Sequence, residues 1–399
     1  MFGSFNLDKT YQYLLIMLAF LLPLTVFGAN LIVVLIVTLW LLSGSYKSKF
    51  NEIFKNRMLI ASILFFALHV IGLLWTEDLR WGLHIVHKMW YFLLLLPVLF
   101  TLTKRRYIKH YIFSFLLAIF ITEVASYLVW FEVVEPFKNA TVRNPTPFMS
   151  HVSYNPIIAF ACYLVLHEIF FNQKLKKIEL FAYSFFAISM SFNMFITAGR
   201  AGQVMYFVML SILIFQYFYS QKIKAIVLII IVCGGLFFTA YETSPTFKYR
   251  IESTINAVES YQINKGTSLG QRFTFASNSF EIIKEHPIIG VGTGDFPLEY
   301  KKINLKNSPD LPSPSNPHNM YILVVTQLGA IGLISFLSIF YYQIKLSFLS
   351  KAKFIRDVGI TLPLLFLLIM WSDSYLLGHY TSLMYVFFSS FLYKDFEKS

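Results

Sequence analysis

Three side chains in this sequence have the types and settings needed for group transfer. Arg200 sits in the turn TAGRAGQ, Arg272 opens the stretch GQRFTFASNSFEIIKEHPIIGVGTGDF, and His318 lies in NPHNMYILVVTQLGAIGL. A guanidinium grips phosphate oxygens in a bidentate fork. An imidazole can take a proton from a hydroxyl near neutral pH. Placed at one membrane surface, two such cations and one such base would hold a diphosphate and activate a sugar hydroxyl against it. That is chemistry on a lipid-linked substrate.

The membrane surface follows from composition. Hydrophobic residues make up 57% of the 399 positions and charged residues 14%. Apolar runs of roughly 17 to 25 residues recur along the chain, long enough to cross the hydrocarbon. They place spans near residues 11–27, 29–43, 58–75, 89–103, 109–131, 154–171, 178–197, 202–219, 223–241, 319–343, 358–372 and 379–393, about twelve in all. The first run has no small-residue cleavage site and leads straight into further spans, so it reads as a retained helix.

Lys and Arg set the orientation. The connectors 46–57, 104–109, 174–177, 222–224 and 345–357 together carry a net charge of +15. The opposite connectors are nearly neutral, and residues 242–318 hold eight acids and eight bases. Basic loops stay in the cytoplasm, so both termini are expected there, with residues 242–318 as one large external loop, periplasmic in a bacterial inner membrane. The whole chain, 1–399, reads as a single membrane domain. Its net charge of +12 is spread over these loops and forms no single soluble basic face, which excludes nucleic acid as a partner. Membrane lipids are the implied surroundings. Cys162 and Cys233 fall inside apolar runs, where they act as small hydrophobes.

Local patterns then position the three side chains. Gly199 and Gly202 flank Arg200, which lets the backbone turn sharply and lets a bulky ligand approach. The unpaired amides of the helix beginning there add to the cation. Phe273, Ala276, Phe280 and Ile283 recur at helical spacing, so residues 271–285 are expected to form an amphipathic helix lying on the membrane domain and closed by Pro287. Arg272 falls in its first turn. Asn316 is the expected N-cap and Pro317 the first helical residue, which puts His318 among the free amides of a long span. A helix N-terminus disfavours imidazolium, which suits a ring that must accept a proton.

Weaker signals surround these. Arg80, His84, His87 and Lys88 share a helical face in an external segment with Trp81 and Trp90, the pattern of an interfacial helix that could touch a headgroup. Arg143 and His151 belong to an external loop that could line the acceptor side. Glu123, Glu168, Asp373 and His379 lie in or near spans, where ionisable groups are costly. Asn139 begins a glycosylation-type tripeptide, a pattern common by chance. GVGTGDF looks like a nucleotide loop but lacks the Lys-Ser/Thr ending and is expected to precede no helix, so it reads as a turn. No metal motif and no external carboxylate cluster is present, so no metal and no cofactor is expected. Paired inverted repeats of a transporter or flippase are absent.

The stretch from Gln271 to Phe296, the N-P-H-N-M-Y opening, the Q-L-G-A-I-G-L run at 327–333 and the TAGRAG turn together resemble the O-antigen ligase and polymerase superfamily. The resemblance is close over roughly residues 270–335 and loose over the rest of the topology. It implies an all-α, polytopic, GT-C-like membrane glycosyltransferase that is inverting and metal-independent. The implied donor is a polyprenyl diphosphate-linked glycan, and the acceptor is a sugar of lipid A core for a ligase or a growing glycan for a polymerase. His318 would be the catalytic histidine, with Arg200 and Arg272 the diphosphate-binding arginines and Asn319 in a position to hold His318 or the substrate. Compactness of the external loop favours the ligase over an O-antigen or exopolysaccharide polymerase.

Overall fold

A computed structural model describes residues 6–138, 140–261 and 264–396; Asn139 of the tripeptide lies outside them. Among the described residues the chain is helical, with an isolated bridge between Thr141 and Asn144 and no strand. Seven helices are long and apolar enough to span a membrane: Arg57–Trp75, Leu79–Leu102, Arg105–Trp130, His151–Phe171, Lys177–Ile196, Lys222–Thr243 and Met320–Leu349. An eighth is reached if the bent pair Val26–Leu42 and Tyr46–Lys55 counts as one. This is a multi-pass membrane protein.

Helices stand at every place where the hydropathy pattern puts a span. Leu7–Leu21, Val26–Leu42, Arg200–Tyr217, Lys353–Ile369 and His379–Leu392 are each too short or too polar to meet the same standard alone. The expected span at 89–103 starts ten residues earlier, at Leu79. A π-turn at Tyr91–Leu95 joins the amphipathic Leu79–Lys88 stretch to the apolar part. The segment carrying Arg80 and His84 is therefore continuous with a spanning helix instead of a separate interfacial one.

The chain forms two compact units. Residues 1–12, 33–106 and 254–399 make the first, and residues 13–32 and 107–253 the second. In the first, Met320–Leu349 packs on Arg57–Ile71 and on Lys353–Ile369. Phe336 lies between Phe65 and Phe340, with ring centroids 5.1 and 5.2 Å away, and Tyr385 closes the cluster 5.8 Å from Phe340. All four are fully buried.

The glycine-rich turn of this unit is a docking device. The helix beginning at Met320 breaks at Gly329, where φ is 60° and ψ is −160°. Into the break fits the chain 287–294. Val291 and Gly292 donate their N–H groups to the carbonyls of Thr326 and Gln327, and Ala330 and Ile331 donate to those of Pro287 and Ile288. The Gln327 side chain accepts from Gly294 N at 2.6 Å. Backbone touching backbone leaves no room for a Cβ: one added at Gly290 would meet Gln327 C at 2.3 Å, and one at Gly329 would meet Ile288 C at 2.2 Å. Contrary to expectation a helix does follow this turn, Phe296–Asn307, with Asp295 as its N-cap. The buried Asp295 carboxylate accepts from Thr76 Oγ1, Glu77 N and Asp78 N at 2.6 to 2.9 Å. Its charge thereby fixes the start of the helix that carries Arg80.

In the second unit, His151–Phe171 packs on Lys177–Ile196 and Arg200–Tyr217. Pro156 lies inside the first of these helices, and Asn155 beside it is fully buried. The Asn155 amide donates to Thr197 Oγ1 at 2.9 Å, which satisfies it away from water.

Candidate active site

His318 sits two residues before the helix, at φ 52°. A non-glycine residue in this region costs about 1 kcal/mol or more and needs outside support. Asn316 supplies it, its Oδ1 accepting from His318 N at 2.9 Å and from Ser374 Oγ at 2.8 Å. The N-cap is Asn319 and not Asn316: its Oδ1 accepts from Tyr321 N and Ile322 N, so helix starts at Met320. Pro317 and His318 consequently stay outside the helix, and the amides expected to surround the imidazole are spent on the cap. Asn319 does not touch the ring. Its Nδ2 donates to Trp371 O at 3.2 Å, while Met320 N donates to Met370 O at 3.0 Å. The His318 turn is thus stitched to the chain that follows the helix Lys353–Ile369.

That stitching brings up Asp373. His318 Nδ1 lies 3.2 Å from Asp373 Oδ1, which also accepts from Ser374 N at 2.7 Å. Burial pushes the Asp373 carboxyl up, but the His318 hydrogen bond and charge, the Ser374 N–H and the Arg272 guanidinium outweigh it and hold it below the usual carboxylate range. Ionised Asp373 accepts the hydrogen bond of Nδ1–H, which keeps the proton on that nitrogen and leaves Nε2 as the basic atom. The imidazole is 39% exposed, open to a substrate. Its other face stacks on Phe275 at 6.2 Å between centroids.

Phe275 comes from the helix Ser268–Glu285, capped by Thr267, whose Oγ1 accepts from Gly270 N at 3.0 Å. The helix starts three residues earlier than expected, so Arg272 falls in its second turn. Its buried face also differs. Phe273 and Phe280 are 45% and 55% exposed, while Thr274, Phe275, Asn278, Ser279 and Ile282 are buried. The reason is a polar core within residues 242–318: Asn278 Nδ2 donates to Tyr300 OH at 3.1 Å and Ser308 Oγ at 2.8 Å, pinning this helix to Phe296–Asn307. Residues 242–318 therefore hold three helices, Pro245–Glu259 being the other. Arg272 is half-buried, with its charge acting on Asp373. Arg80 and His84, on Leu79–Lys88 in the same unit, are exposed.

The second unit carries Arg200, Arg143 and His151. Arg200 opens its helix behind Gly199, as expected, and the two glycines pack closely on the helix His151–Phe171. A Cβ at Gly202 would meet Asn155 Cβ at 2.2 Å, and one at Gly199 would meet the Asn155 side chain at 2.5 Å. Asn144 ties the neighbouring loop to this turn, its Oδ1 accepting from Ala198 N at 3.0 Å and its Nδ2 reaching His151 Nδ1 at 3.0 Å. The charges of Arg250 and Arg200 both act on His151, whereas Arg143 is exposed. Arg250 had no signal in the sequence beyond its type.

Residues 185–337 match the family model described as O-Antigen ligase. Over this stretch the chain is similar to the O-antigen ligase family. The match takes in the Arg200 turn, Arg272, the docked glycine turn and His318, and it ends ahead of Asp373. An uncharacterized protein of Haemophilus influenzae is 30% identical over 212 residues, covering 49% of this chain and 51% of the relative. The matched stretch thus spans about half the length of that relative. Among the described residues no three His, Cys, Asp or Glu side chains come together as a metal-binding group.

Proposed function

We propose that this protein is an O-antigen ligase, a glycosyltransferase of the inner membrane that acts on its periplasmic side. It would move a glycan from a polyprenyl diphosphate carrier to a sugar of lipid A core. The His318–Asp373 pair beside Arg272 carries the reading. In the proposed step His318 Nε2 takes the proton of the acceptor hydroxyl. That oxygen bonds to the anomeric carbon as the bond to the diphosphate oxygen breaks, with inversion. Asp373 stabilises the imidazolium that forms, and the carrier diphosphate leaves with the bonding electrons. Arg272 and Arg200 are assigned to the diphosphate, the first for its charge beside the pair and the second for its helix N-terminus. Fixed cations facing charge that grows on a leaving group are often worth several kcal/mol.

The deciding experiment separates carrier-linked from core-linked glycan in a deletion strain, complemented by wild type or by His318→Ala. A full-length ladder stranded on the carrier and missing from the core supports the ligase. Core capped with a single repeat unit makes the protein a polymerase using the same donor. Unaltered glycan in the deletion strain removes both.

A further inference from the structure

The helix Tyr46–Lys55 has no part in the chemistry above and is built differently from the spans. It leaves Val26–Leu42 at 116°, so with that helix crossing the bilayer it would lie nearer to the membrane plane than to its normal. Gly44 and Ser45, both at positive φ, make the corner. Tyr46, Phe50 and Phe54 follow one another at i, i+4 and i+8, one stripe on one side of the helix. They stay 44%, 47% and 59% exposed although Trp40 packs edge-on against Tyr46 and Phe50, and Ile53 alone in this helix is buried. Lys47, Lys55 and, just beyond the helix, Arg57 are also exposed. The one acid here, Glu52, is matched from within by Lys394 Nζ at 2.9 Å. Lys49 is drawn inward, donating to Trp40 O and Ser43 Oγ at 2.7 and 2.6 Å. The outward charge left over is positive.

We infer that Tyr46–Lys55 is an interfacial anchor that selects anionic phospholipid, its aromatic stripe sunk at the acyl boundary and Lys47, Lys55 and Arg57 on the headgroups. An aromatic stripe edged by lysines, turned nearly flat at the end of a membrane helix, has the two-sided character of such anchors. An exposed lysine near an anionic surface adds about fivefold to the preference.

The test uses full-length protein with Cys162 and Cys233 replaced by Ala and a fluorophore on Asn51→Cys, reconstituted in phosphatidylcholine vesicles with or without phosphatidylglycerol. Spin-labelled lipids of either headgroup quench the fluorophore in proportion to their occupancy. The anchor requires stronger quenching by spin-labelled phosphatidylglycerol, falling about fivefold for each of Lys47→Gln and Lys55→Gln. Phe50→Ser with Phe54→Ser should raise access of aqueous iodide while the fold, followed by gel filtration, persists. Equal quenching by the two lipids overturns the headgroup selection. Full iodide access in the unsubstituted stripe overturns the anchor itself and leaves the stripe to a soluble protein.

Discussion

The imidazole of His318 and the carboxylate of Asp373 meet at 3.2 Å although 55 residues separate them. Asn316 and Asn319 make that meeting obligatory, since both bind the chain at 370–374 as well as the turn that holds His318. Against the upward push of burial, Asp373 accepts from His318 and Ser374 and feels the Arg272 charge, and together these outweigh burial and depress its pKa. A carboxyl depressed in the folded state stabilises above its unfolded pKa, roughly 3.9, and loses that contribution as pH falls through the folded value. Asp373 therefore stays ionised across the neutral range. Asp373→Asn should reduce transfer about tenfold at pH 7, the low end for a charge-assisted hydrogen bond because His318 is partly exposed. The difference in melting temperature between wild type and this variant should hold from pH 5 to 8 and shrink below about pH 4.

His318→Ala should lower transfer by roughly 10²- to 10⁴-fold, the range for loss of a general base. Purified enzyme with carrier-linked glycan and core acceptor would measure it. The protein should still insert and elute as wild type, because Asn319 caps the helix and the docking of 287–294 does not use the ring. Near wild-type turnover would take the histidine out of the mechanism.

Arg272→Lys keeps the charge but loses the planar fork, so activity should fall with thermal stability retained. Arg200→Lys should do the same if its guanidinium binds phosphate. Wild-type transfer by the lysine variant would instead mean that Arg200 only reaches for the interface.

Much of this architecture was legible in one dimension because apolar runs and caps are local signals. The helices that stand where the hydropathy pattern puts spans, seven or eight of them long and apolar enough to cross a membrane among the described residues, needed nothing further. Two kinds of information were not local. Asp373 carries no motif, and only the folding of Asn316 and Asn319 onto the 370–374 chain reveals it as the partner of His318. The face of Ser268–Glu285 was misjudged because Asn278 looks solvent-seeking, yet Tyr300 and Ser308 satisfy it in the interior. The cap near His318 slipped by three residues because two asparagines compete there, and a left-handed His318 decides between them. Gly199 and Gly202 suggested open space, whereas small residues in membrane proteins often mark where helices touch.

The same distinction makes the glycines of the docked turn testable. Gly290 stands at φ +71° with Gln327 backbone where a Cβ would go, so Gly290→Ala meets strain in its own dihedrals and a collision with main chain that cannot rotate away. Overpacking of this kind costs about 1–3 kcal/mol and shifts the backbone around it. The shift would pass through Val291 and Gly292 to Thr326 and Gln327, on the helix that begins two residues after His318. Activity should therefore fall together with the melting temperature. Gly234→Ala is the control: a Cβ there meets nothing within 4 Å, in the interior of Lys222–Thr243. Helix propensity favours alanine by up to about 1 kcal/mol, so this variant should melt at or slightly above wild type with full transfer. Equal behaviour of the two variants in a thermal-shift assay would mean that the 287–294 chain does not hold the break at Gly329, and that the glycines of the motif answer to substrate instead.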